Sequence, residues 1–549
     1  MKSFNRLMKS VFSFALIFCI FLSPVSQLNV SAANPEWVPV RVAAESIGAK
    51  VDWNQANQLI TINRGNLKVI IPVGEEQALI NDKEINLEFS AMMKDHKTYI
   101  SLNDFNAIFS VNASWDQAQQ TVGFAATDWA GLSSLFVYQL FSGNVVNLPE
   151  MMNEVLKPSL PEQALAIIGQ QYSAVYGKPL MQQSLTTEYN GVHTNVVMVY
   201  ETNVLPLKIT LRFDANQLID DLYMEQVAIA DTYQKPAYDI GNYSEIDVVI
   251  GEGTFAVPGT LTIPEGEGPF PAVVLVHGSG PHDRDSTIGA VKIFKDISAG
   301  LAAQNIATLR YEKVTKEHNV KVASLPQFTL NNESVDDAIL AVKLLKGRSE
   351  IDDANVYIVG HSQGGYVVPK IFENDKDNDI AGAILLSAPS GNLADVLKEQ
   401  QVDALDRLKK LGYSSEIIAS QEQTAAFINQ TVDLINDPTY STEKLPESFP
   451  IPPAYWWYEQ RDYLPGQMAK LQTKRMLIIQ GENDWQVSMN QFNGWKEALK
   501  DRTNISYISY PNINHVLTEY EELSIGSEYY LPSNVNGELI SDMAKWIKQ

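Results

Sequence analysis

From residue 246 onward, short and nearly uninterrupted apolar runs recur between stretches of helical periodicity, and this pattern limits the fold more than any other feature of the chain. The runs are 271–276 (PAVVLV), 307–309, 356–359 (VYIV), 383–386 (AILL), 476–479 (MLII) and 505–508. A strand with one face in water alternates apolar and polar side chains, whereas a strand apolar at nearly every position must be covered on both faces. Such strands separated by helices predict a largely parallel sheet with helices on both sides, the α/β class. Residues 246–250 and 261–263 read as a leading hairpin.

Chemistry is written where these runs end. The run 356–359 leads into Gly360, His361, Ser362, Gln363, Gly364 and Gly365 and then a helix, a Gly-x-Ser-x-Gly turn between strand and helix. A turn that tight needs small residues beside the serine, and it leaves the hydroxyl exposed near the positive end of the helix. A hydroxyl needs a base to take its proton, and the base needs a carboxylate to hold its tautomer. The order Ser, acid, His is met later in the chain. Asp484 follows the run 476–479 in Gly481, Glu482, Asn483, Asp484, and His515 follows the run 505–508 in Pro511, Asn512, Ile513, Asn514. Glu482 is the fallback acid. The first central run ends in His277, Gly278, Ser279, Gly280, so the backbone amides of Ser279 and Gln363 are the expected oxyanion donors. Residues 281–285 read as a charged turn that shapes this loop, Arg310 and Lys313 as architectural, and Tyr311 as bordering the pocket.

From residue 246 to its end the chain resembles α/β hydrolases of the dienelactone-hydrolase-like and serine-aminopeptidase-like group, specifically bacterial esterases with Gly-Ser-Gly-Pro-x-Asp-Arg-Asp after the oxyanion strand. Here that motif spans Gly278 to Asp285. The resemblance implies an α/β-hydrolase domain over 244–549 with no metal or organic cofactor. Dienelactone hydrolases proper use cysteine where this chain has Ser362, so dienelactone chemistry is not implied. An insertion between the runs 383–386 and 476–479 is expected to form a lid over 390–474, with helices at 393–411 and 415–435. Its Trp456 and Trp457 are the expected apolar walls for substrate.

Two smaller units come first, as a chain of 549 residues leads one to expect. Residues 34–126 hold a repeat: strand, short helix and a hairpin bearing Trp53, then the same with Trp115. This part resembles the copper amine oxidase N-terminal-like domain of exported Gram-positive proteins, in which it is a stalk without copper. His96 is its sole histidine, which excludes a His-x-His copper pair. Residues 129–230 read as helices, one with an apolar face of Leu132, Leu135, Phe136 and Leu140, followed by a curved antiparallel sheet. That small α+β domain resembles a cystatin-like domain of unknown function, and the linker is expected near 234–243.

Residues 1–33 read as a secretory signal peptide: Lys2, Arg6 and Lys9, the apolar run 11–22, then Ser31, Ala32, Ala33. About a dozen apolar residues fall short of the ~20 that span a bilayer, so no stable membrane insertion is expected after cleavage. The only cysteine, Cys19, lies inside that run, which leaves a mature chain without disulfides or thiol chemistry. Formal charge is −24, and −27 once the three basic leader residues go, which argues against nucleic acid as a partner.

The expected function is carboxylic-ester hydrolysis through an acyl-enzyme, by a secreted or envelope-associated protein whose first domain contacts the cell wall or envelope. A peptidase or amidase with the same triad is the enzymatic alternative. A binding protein on a degenerate hydrolase scaffold is the alternative of another class.

Overall fold

Whether a strand is covered on one face or two decides where it lies in the catalytic sheet. In the computed structural model, which describes residues 35–227 and 232–549, eight strands form this sheet. They are β1 Tyr243–Ile250, β2 Val257–Pro264, β3 Phe270–Val276, β4 Ala307–Tyr311, β5 Ile351–His361, β6 Gly382–Leu386, β7 Arg475–Gly481 and β8 Ile505–Tyr510. The spatial order is β1-β2-β4-β3-β5-β6-β7-β8. The leading hairpin is antiparallel, β2 is antiparallel to β4, and every later neighbour is parallel. Along β3, Ala272, Val274 and Val276 enter one core while Val273 and Leu275 enter the other. Both faces are thus covered, as the apolar runs require. The edge strand β1 is the contrast, with exposed Ser244, Glu245, Asp247 and Val249 between less exposed neighbours. This is an α/β-hydrolase fold preceded by two smaller units.

Four helices stand between β6 and β7: Leu393–Lys410, Ser415–Ile435, Ala454–Gln460 and Pro465–Lys470. The first two begin where short polar side chains cap them. The Asn392 side chain accepts from the Ala394 amide at 2.9 Å, and Ser414 accepts from Ile417 at 3.4 Å.

In the first unit each repeat copy folds as strand, helix and hairpin: Trp37–Pro39, Val40–Ser46, Lys50–Asn54 and Leu59–Arg64, then Lys97–Ser101, Leu102–Phe109, Ser114–Asp116 and Thr121–Gly123. The same local chemistry recurs at both hairpins. Trp53 donates to Gln55 at 2.8 Å and Trp115 to Gln117 at 3.1 Å, while Asn54 and Asp116 each accept two turn amides. The leader at 1–33 lies outside the described residues.

The second unit packs helices Trp129–Ser142 and Glu162–Tyr176 on a four-stranded antiparallel sheet. The helix Trp129–Ser142 departs from the single apolar face expected of it. Leu135 belongs to the core of the first unit and Phe136, Val137, Leu140 and Phe141 to that of the second, so one helix is shared by two cores. Residues 234–243, the expected linker, lie against the catalytic unit, with the Tyr238 hydroxyl donating to the Val535 carbonyl at 2.7 Å.

Candidate active site

Ser362 follows β5 with φ 55° and ψ −121°, a backbone conformation that side chains rarely adopt. The strand-to-helix reversal imposes it. Its amide donates to the Leu386 carbonyl of β6 at 2.8 Å, and its own carbonyl accepts from Gly365 at 2.9 Å and Tyr366 at 3.0 Å. Close approach explains the flanking glycines: a Cβ on Gly364 would lie 2.0 Å from the Val276 carbonyl oxygen, and one on Gly360 2.3 Å from that of Gly364.

Asp484 sits in the loop after β7, buried. One carboxylate oxygen accepts from the amides of Gln486 at 2.8 Å and Val487 at 2.9 Å, and the other from Gln480 Nε2 at 3.2 Å and His515 Nδ1 at 2.8 Å. Burial pushes this carboxyl up, but His515 and the two amides outweigh burial and hold it below its ordinary value. An ionised acid beside Nδ1–H leaves Nε2 as the basic nitrogen of His515. Glu482 is exposed and accepts from the Ser509 hydroxyl at 2.8 Å, while His515 Nδ1 pairs with Asp484.

Ser362, His515, Ser279, Gln363, Trp456 and Trp457 all line one cavity of about 550 Å³. The two indoles pack edge to face, with centroids 4.8 Å apart. Tyr311 is not among the lining residues. It is buried at the end of β4, where its carbonyl accepts from His277 at 2.5 Å, so the expectation that it borders the pocket is corrected: its side chain packs into the core of the catalytic unit.

The loop that carries Ser279 is fastened from three sides. Lys313 Nζ, buried, donates to the Gly278 carbonyl at 2.7 Å and to Glu333 at 2.6 Å. His282 donates to the Ser279 carbonyl at 2.8 Å; burial and the nearby Lys313 push its imidazole down to about 4, so it is neutral. The charged turn is ion-paired below, Arg284 with Glu312 at 3.0 Å and Asp285 with Arg310 at 2.9 Å. Gln363 opens its helix, so its amide is one of the donors a helix start leaves without an internal partner.

Two fastenings carried no local signal. His361, the residue before Ser362, donates from Nε2 to the main-chain carbonyl of His515 at 2.8 Å. Burial, and then His515, push it down to about 3, which keeps it neutral. From the first lid helix, Arg407 reaches the carbonyls of Asn483 at 3.1 Å, Asp484 at 3.3 Å and Ser524 at 3.0 Å, tying the acid loop to the lid. An arginine in the last turn of a helix looks like any surface charge in sequence.

Among the described residues one cluster has metal-ligand types, His193, Asp220 and His318, with ligand atoms within 4.8 Å of one another. Asp220 there already meets the ammonium of Lys321 and the His193 ring. The cluster joins the second unit to the catalytic one and takes no part in the Ser362 cavity.

Three comparisons bear on this geometry. The family model described as the copper amine oxidase N-terminal domain matches residues 29–123. Esterase EstD from Thermotoga maritima is 32% identical over 426 residues, covering 75% of this chain and 94% of that protein, a span longer than the catalytic unit alone. Among solved structures, Est1E from Butyrivibrio proteoclasticus covers 55% of this chain and 99% of its own, at 17% identity and a TM-score of 0.36. The dienelactone hydrolase from Anabaena variabilis covers 56% and 98%, at 14% identity and 0.32. A puromycin-hydrolyzing peptidase of Mycobacterium tuberculosis covers 68% and 48%, at 16% identity and 0.36.

Proposed function

The chain belongs to the esterase family of α/β hydrolases that includes Esterase EstD, an ester-hydrolysing enzyme class, and from that premise we propose that it cleaves carboxylic esters through an acyl-enzyme on Ser362. His515 Nε2 takes the Ser362 proton as Oγ attacks the ester carbonyl, and Asp484 steadies the imidazolium through Nδ1. The amides of Ser279 and Gln363 donate to the oxyanion of the tetrahedral intermediate. His515 returns the proton to the departing alcohol. Water then attacks the acyl carbon by the same route, and the acid leaves. The substrate's apolar part lies against Trp456 and Trp457, where removing apolar surface from water favours binding.

The observation that carries this reading is the 2.8 Å Asp484–His515 hydrogen bond, together with Ser362 and His515 facing one cavity. Labelling with a fluorophosphonate tests it. Wild type should react at one site and Ser362→Ala should not; equal labelling of the two proteins ends the assignment. Cleavage of p-nitrophenyl esters beside aminoacyl anilides sets ester against amide hydrolysis, and turnover of anilides alone would defeat the esterase reading.

Export with cleavage near Ala32, and envelope contact through the first unit, complete the proposal. They rest on the leader's charge and apolar run and on the family-model match. N-terminal sequencing of protein recovered outside the cell, with fractionation of the envelope, tests both. Mature protein retained in the cytoplasm would overturn them.

A further inference from the structure

A second cavity, of about 430 Å³, opens at the edge of the catalytic sheet between the turn after β1, the segment after β4 and the helix Asp336–Lys346. Its walls are largely apolar: Phe255, Val314, Val322, Leu325, Phe328 and Leu340. In this lining stands Asp337, only 7% exposed, with a buried Oδ2 that has no hydrogen-bond partner among the described residues. Native proteins seldom leave a buried carboxyl oxygen without a donor. The nearest cation does not supply one, because Lys313 is spent on Gly278 and Glu333. Burial, with Asp336 beside it, accordingly pushes the Asp337 carboxyl up to about 8.

We propose that this cavity binds a small hydrophobic ammonium, its N–H groups taken by Asp337 and its apolar body lying against Phe255, Phe328 and Leu340. A carboxylate is satisfied only by donors, and best by charged ones. The walls select an apolar body, while Glu252 and Asp336 at the lining and the formal charge of −24 favour a cation. A hard divalent ion is disfavoured, since it needs six or more oxygen ligands and the walls are hydrocarbon. Phe328 also lines the Ser362 cavity, so the bound ammonium sits on the far side of a wall of that site.

The test is calorimetric titration of the full chain with phenethylammonium and with its uncharged counterpart 2-phenylethanol. The ammonium should bind about tenfold more tightly, and Asp337→Asn should remove that difference. Titration near pH 7 in two buffers of different ionisation heat should show proton release, since a carboxyl pushed to about 8 must ionise to meet the cation. The groups facing it are Asp336 on its own helix, Tyr311 and Lys313 from the end of β4, and Glu252 after β1; loss of the release in Asp337→Asn assigns it. Leu340→Trp, which fills the mouth, should weaken both ligands, and prior phosphonylation of Ser362 should change neither. Equal affinity for ammonium and alcohol, ammonium binding intact in Asp337→Asn or Leu340→Trp, or binding abolished by phosphonylation would each overturn the proposal.

Discussion

The imidazole of His361 donates to the main-chain carbonyl of His515 across 2.8 Å, so the residue before Ser362 holds the loop that carries His515. Because burial keeps His361 neutral, the link is an ordinary hydrogen bond rather than an ion pair. Replacing His361 by Ala frees the His515 loop without touching Ser362 or Asp484. The expected result is a kcat lower by about ten- to a hundredfold, the scale of a misplaced catalytic group, with KM little changed. Ester kinetics check it, and a change confined to KM would contradict it.

Lys313 plays the matching part at the oxyanion loop. Lys313→Met leaves Glu333 buried without its partner and the Gly278 carbonyl without its donor, and should destabilise the protein by about 3–5 kcal/mol. Lys313→Met with Glu333→Leu removes the stranded charge and should recover most of that stability in urea denaturation. Activity should stay low in the double variant, because the Gly278 carbonyl beside Ser279 still lacks its donor. Recovery of both together would show that Lys313 serves stability alone.

The backbone at Ser362 lies at φ 55°, where glycine is at ease and serine is not. Ser362→Gly should therefore be more stable than Ser362→Ala by about 1–3 kcal/mol, the size of strain held at such positions, though both are inactive. Thermal or urea unfolding of the two variants checks this, and equal stability would mean the turn is unstrained.

His193 bridges Asp220 and Glu317, each at 2.6 Å, and so joins the second unit to the catalytic one. Burial pushes its pKa down, but the two carboxylates outweigh burial and raise it above 6.5. Glu317 is lowered to about 2 and Asp220 is lowered as well. The raised histidine stabilises fully below its unfolded value and loses that stability as pH rises through its folded one. The lowered carboxylates stabilise above their unfolded values near 4 and lose it as pH falls further. The joint should hold best at about pH 5–6 and loosen toward pH 8. Unfolding midpoints across pH 4–8 should show this dependence in wild type and a flatter one in His193→Gln; identical profiles would dismiss the role.

How much of this was legible in the chain varies with how local each feature is. The Gly360–Gly365 turn and the positions of Asp484 after β7 and His515 after β8 were legible because their patterns span only a few residues: a Cβ on Gly360 would lie 2.3 Å from the carbonyl oxygen of Gly364, four residues on. The helices expected at 393–411 and 415–435 run over Leu393–Lys410 and Ser415–Ile435, and each starts at a local polar cap, Asn392 and Ser414. The helix Trp129–Ser142 meets two cores where its spacing predicts one face, since periodicity cannot tell a helix against one core from a helix wedged between two. Position at a strand end suggests a pocket wall for Tyr311, but whether such a ring faces cavity or core is decided by packing across the sheet.

By itself, then, the order of residues determined a covered parallel sheet, the strand ends from which Ser362, Asp484 and His515 emerge, and the tight turn that presents Ser362. Only the tertiary structure decided which distant groups hold those side chains in place, His361 on the His515 carbonyl, Lys313 on Gly278 and Arg407 on the Asp484 loop, and that Asp337 Oδ2 has no donor among the described residues. The physical reason is that main-chain carbonyls are chemically alike. Which one a buried imidazole or ammonium meets depends on packing across the whole sheet, and no short stretch of sequence encodes that choice.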